Sequence, residues 1–171
     1  MAIYQSPNRD PRDLKLFGPR FEIRLGPPIL QPQTVDASPN SRSSGSGLKF
    51  SSMPALIDTG AQRTVVHPEA IAKVGLSKIN ETKLLRLGGF TEKVGVYVAS
   101  IQFPRSKFAT IEVIEVASCE LPHPLIRCLL GRDVLSRWMF TYNGPLGAWD
   151  IKEEGVAPWI EPPEGIDLWG Q

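Results

Sequence analysis

The chain has 171 residues, 42% of them hydrophobic, and a formal net charge of +1; that suffices for one globular domain with a real core, not two large ones. The interspersed charges give no reason to expect nucleic acid or an anionic membrane as partner, and no apolar run approaches the roughly 18 residues of a transmembrane helix. Sixteen Pro and 15 Gly predict many turns and a strand-rich fold.

In chain order, residues 1–20 are polar and Pro-punctuated and read as an arm, either mobile or ordered on contact. Met1 to Pro7 lacks a basic stretch followed by an apolar one, so no signal peptide is expected. Phe21-Glu22-Ile23-Arg24-Leu25 alternates apolar and charged residues, the pattern of a half-buried strand. Residues 31–47 are dominated by Ser, Pro, Asn, Gln and Gly and read as a flexible insertion within a hairpin. Met53 to Ile57 runs apolar into Asp58-Thr59-Gly60, and Thr64-Val65-Val66 is a further short strand. Pro68 to Val74 reads as a two-turn helix, opened by His67-Pro68 and ended by Gly75. Leu84 to Leu87, Gly88-Gly89 and Thr91 to Ile101 predict a hairpin with a glycine tip. Phe108 to Val116 is a strand with Ile111 and Val113 on one face and Glu112 on the other. Leu129-Leu130-Gly131 leads into a short helix from Arg132 to Trp138. Met139 to Tyr142, the turn Asn143-Gly144 and Gly147 to Ile151 make a last hairpin, with Trp138 and Trp149 in or beside the core. Residues 153–171 form a Pro/Trp-rich tail that either docks or stays loose. The sum is an all-β domain over residues 21–152 with two short helices.

Asp58 is the candidate for chemistry. An apolar strand delivers it to a tight turn, and Gly60 and Ala61 follow, so the backbone can approach the carboxylate and donate N–H bonds to it. A strand-end Asp that merely caps its own turn is the competing reading. The histidines, His67 and His123, are far apart and lack companions, so no metal or other cofactor is expected. Cys119 and Cys128 match neither a disulfide framework nor a metal-site spacing. Cys128, in an apolar run, reads as a buried inert thiol, and two free thiols point to a cytoplasmic setting.

The order apolar-apolar-Asp58-Thr59-Gly60-Ala61, a glycine-tipped hairpin, then Leu129-Leu130-Gly131 and a helix resembles the retropepsin-like aspartic peptidases. These are the single-domain family that includes the retroviral proteases, and the likeness spans about Phe21 to Ile151. The resemblance implies a closed, barrel-like acid-protease half with a flap hairpin. It assigns Asp58 as the catalytic carboxylate, Thr59 as a grip across a dimer interface and Gly60, with Ala61 beside it, as backbone near substrate. Gly88, Gly89 and Phe90 fall in the flap that closes over a bound peptide. Gly131 falls on the supporting loop, and Arg132 is the first helical arginine. Where retroviral enzymes place an acidic residue after the Ala, this chain has Gln62 and Arg63, so Arg132 loses that partner and Asp133 or a carbonyl is left to replace it.

The chemistry needs two carboxylates sharing one proton, and the chain has one Asp-Thr-Gly. Neither Asp133 nor Asp150 repeats its context. The reading is therefore an endopeptidase that acts on extended polypeptides as a homodimer, with Asp58 of each copy in the site. The chief rival is the same fold used as a catalytically weak or inactive peptide-binding or dimerisation module. A precursor form blocked by its own arm or tail is a third reading.

Overall fold

A computed structural model describes residues 2–6, 10–30, 48–85 and 89–153. The expected insertion at 31–47, Gly88 at the hairpin tip, and the tail beyond Glu153 lie outside the described residues.

Strand β2 (Arg20–Gly26) pairs antiparallel with β3 (Ser51–Ile57), Phe21 lying opposite Ala55 and Ile23 opposite Met53. Alternation puts Phe21, Ile23 and Leu25 inside, and Met53, Ala55 and Ile57 with them, as the two-residue period of a strand requires. A short strand, β4 (Val65–Val66), leads into helix α2 (Pro68–Val74). His67 Nδ1 accepts from Glu69 N–H at 3.3 Å, Pro68 occupies the first turn, and Gly75 closes the helix at φ 81°, a left-handed position where a side chain would be strained. Strand β5 (Lys78–Leu85) and the long β6 (Thr91–Gln102) form the glycine-tipped hairpin, and β7 (Ile111–Ser118) returns beside β6. Strand β8 (Cys128–Leu130) inserts between β3, to which it is parallel, and β4, to which it is antiparallel. The ring β2-β3-β8-β4-β7-β6 closes through Arg24 opposite Gln102 and Leu25 opposite Ile101, leaving β5 outside it. The expected closed, barrel-like architecture is present, with six strands in the ring, and the fold is all-β.

Helix α3 (Arg132–Leu135) follows β8, and β9 (Met139–Asn143) pairs with β10 (Ala148–Glu153). The stretch read as an arm carries two elements that were not anticipated. Strand β1 (Ala2–Gln5) pairs antiparallel with β10, Tyr4 opposite Ile151. Helix α1 (Pro11–Phe17) is capped by Asp10, whose Oδ1 accepts from Arg12 N–H at 2.8 Å, and it buries Leu14. Between this three-stranded sheet and the barrel lies an aromatic core. Phe21 meets Tyr4, Phe103, Trp138 and Trp149 at centroid distances of 5.5, 5.8, 6.2 and 6.1 Å, within the range where tilted and offset rings attract.

One face assignment is corrected. Val113 is 50% exposed, while Ile114 and Val116 join Ile111 in the core. Between the pairs Ala99–Ile114 and Ile101–Ile111 the register shifts, so β7 spends an extra residue there. Such a bulge reverses the alternation beyond it.

Candidate active site

Alternation along β3 sets the direction of Asp58. With Ile57 turned into the core, the next side chain turns out, and Asp58 is half-buried at the strand's end. Its N–H donates to Leu130 O at 3.0 Å, so the parallel β8 fixes the backbone at that point. Its Oδ1 accepts from Gly60 N–H at 2.9 Å and Ala61 N–H at 3.2 Å. These are the close backbone donors that the small residues after Asp58 predict. Among the described residues Oδ2 has no such engagement. Thr59 and Gly60 are exposed beside it.

The loop after Asp58 is anchored from β8 and α3. Arg132 N–H donates to Ala61 O at 2.9 Å. Thr64, fully buried, donates from its N–H to Asp133 Oδ2 at 2.8 Å and from its hydroxyl to Asp133 Oδ1 at 2.7 Å. The same hydroxyl accepts from Gly131 N–H at 3.2 Å. Asp133 Oδ1 also takes Val134 N–H at 2.9 Å. Gly131 has no alternative here, because a Cβ would lie 2.5 Å from the Arg63 carbonyl carbon and 2.9 Å from Thr64 N. Both contacts are backbone and neither can swing aside.

Asp58, Gly60, Ala61, Gly131 and Arg132 are thus brought into one hydrogen-bonded unit with Thr64 and Asp133, and Thr59 lies exposed in its turn. Two members of it went unassigned in the sequence. Thr64 was read as a strand residue, and Asp133 as a replacement partner for Arg132; its carboxylate is committed to Thr64 instead. Only its place directly after Gly131-Arg132 signalled Asp133, and nothing local linked it to Thr64. Arg132 contributes through its backbone, and its side chain is exposed. Arg63 pairs with Glu115, Nη1 to Oε2 at 3.0 Å.

Of the expected flap residues, Gly89 has φ 81° and Phe90 is 75% exposed just before β6. Nearer the barrel the hairpin is laced by Glu81, which is 2.9 Å from Lys78 Nζ and also pairs with Lys93. Those two ammonium groups, Lys93 first, hold the Glu81 carboxyl down at about 2. Cys128, in β8, is fully buried, and burial pushes its thiol up, with the Asp133 charge adding to the effect; it is no nucleophile. Asp150 lies apart, in β10 between Gln5 and Thr141. A cavity of about 450 Å³ sits between α1 and the β2–β3 hairpin, lined by Leu14, Arg20, Phe21, Met53 and Trp149 among others, and Asp58 is not in its wall.

Comparison with known families matches residues 50–137, from the start of β3 through α3, to the family described as gag-polyprotein putative aspartyl protease. No curated protein matches the chain. No helix among the described residues is long and apolar enough to cross a membrane.

Proposed function

The chain belongs to the gag-polyprotein aspartyl protease family, and from that premise we propose that it is an aspartic endopeptidase working as a homodimer. Its proposed reaction is hydrolysis of peptide bonds in extended polypeptides by water activated between Asp58 and Asp58 of a second copy. The observation that carries the reading is the state of the Asp58 carboxylate. Two backbone N–H groups orient Oδ1, and Oδ2 is uncommitted among the described residues. A turn-capping Asp needs only the first of these properties; a catalytic one needs both.

Two such carboxylates brought together cannot both stay ionised, so the pair shares one proton. The ionised member takes a proton from water as that water attacks the scissile carbonyl carbon. The protonated member gives its proton to the carbonyl oxygen, forming a gem-diol. Collapse of the gem-diol breaks the C–N bond as the amine leaves with a proton, and the titration belongs to the pair. Thr59, exposed next to Asp58, is proposed to grip its counterpart across the two-fold axis. Gly60 offers backbone to substrate, and the β5–β6 hairpin around Gly88, Gly89 and Phe90 acts as the flap.

Asp58→Asn tests the reading. The variant keeps an oxygen for the Gly60 and Ala61 donors but cannot supply the base. Casein cleavage at about pH 4–6 is expected to fall by about 10²–10⁴-fold. Undiminished cleavage by this variant would sink the assignment.

A further inference from the structure

Arg132 brings an unbalanced positive charge to the loop that bears Asp58. Its backbone is pinned there, with N–H on Ala61 O at 2.9 Å and Ala61 N–H in turn 3.2 Å from Asp58 Oδ1. The side chain is exposed, and among the described residues it has no ion-pair partner. The acidic groups around it are already engaged. Asp133 is spent on Thr64 and Val134, and Glu115 neutralises Arg63 at 3.0 Å. Arg63 therefore presents a balanced charge, and Arg132 an open one.

We infer that Arg132 is a specificity-determining residue that selects a Glu or Asp side chain close to the scissile bond of the polypeptide substrate. The inference rests on the peptidase reading above. In the proposed reaction the substrate lies at Asp58, and the Arg132 N–H is bonded to Ala61 on the loop that bears it; the guanidinium offers a planar fork of donors that matches a carboxylate in a bidentate fashion. A Lys or Arg at the same substrate position meets a like charge, so the residue rejects as well as attracts. Because the side chain is exposed, the preference over a neutral residue is modest, about fivefold in kcat/KM, the upper end for a solvent-exposed ion pair.

The test is digestion of a proteome-derived peptide library by the whole protein, with cleavage sites read by mass spectrometry. It is run for the wild type, Arg132→Gln and Arg132→Glu; both variants retain the backbone N–H that holds Ala61. The expected result is acidic enrichment at one position near the cut in the wild type. Arg132→Gln loses that enrichment, and Arg132→Glu turns it toward Lys and Arg. Cleavage with no acidic preference, or with a preference unchanged in Arg132→Gln, overturns the inference and leaves the peptidase reading standing. Variants that cleave with wild-type preference but sediment as weaker dimers would assign Arg132 to a carboxylate of the second copy, which also overturns it. No cleavage of any peptide by the wild type would overturn the peptidase reading and this inference with it.

Discussion

The Asp58 carboxylate is held by donors at 2.9 and 3.2 Å, but those donors stay in place only because the loop behind them is tied down. Thr64 is the knot. Its hydroxyl both donates to Asp133 and accepts from Gly131, so Thr64→Val, equal in shape, strips two hydrogen bonds and leaves a buried N–H unpaired. A loss of about 1–3 kcal/mol of unfolding free energy is expected in urea, with a matching fall in cleavage; a change within about 0.5 kcal/mol would show that the knot holds nothing. Gly131→Ala is the harsher change, since its methyl group would lie 2.5 Å from the Arg63 carbonyl carbon. Overpacking against backbone costs at least about 1–3 kcal/mol. The same unfolding measurement should place this variant below Thr64→Val, and a wild-type midpoint would contradict the close approach. Neither role could be read locally. Asp-Thr-Gly announces its turn through small residues in sequence, whereas the Thr64–Asp133 bond joins residues 69 apart.

At the scale of elements, the β5–β6 hairpin carries its own electrostatic clasp. The Glu81 carboxyl sits between Lys78 and Lys93 and is depressed from the ordinary 4.5 to about 2. A lowered folded value means that the contribution is fully present above the unfolded pKa. It fades as pH drops from about 4.5 towards 2, so the clasp is at full strength only above about pH 4.5. NMR titration of Glu81 should give a midpoint near 2, and Lys93→Ala should raise it; an ordinary midpoint in the wild type would remove the clasp. What was legible among the elements follows how local their causes are. Helix α2 was readable because Pro68 and Gly75 mark both ends, β2 because one buried face imposes strict alternation, and β3 because an apolar run leads straight into Asp58. The inward face of β7 was misread because a bulge opposite β6 breaks the period, and a bulge leaves no mark in composition. Strand β1 is only four residues, Ala2-Ile3-Tyr4-Gln5, too short to show a period, and its pairing partner, β10, lies at the far end of the domain. Helix α1 did have a local signal, Asp10 before Pro11, that was submerged in a stretch judged by its prolines.

For the whole molecule, the barrel closes within one chain, whereas the proposed site does not. Its ring of six strands closes on itself and buries Ile23, Leu25, Ile101 and Leu130 within one chain. The proposed reaction needs a partner, because a single Asp58 supplies half of a proton-sharing pair. Activity should therefore fall faster than protein concentration on dilution. Wild-type protein re-equilibrated with an equal amount of Asp58→Asn, assayed against casein above the dimer dissociation constant, tests this claim most directly. Random pairing leaves about a quarter of the dimers with two Asp58 carboxylates. The account predicts about a quarter of the activity of an undiluted all-wild-type sample at the same total protein, whereas retention of about half, the result for independent subunits, would contradict it.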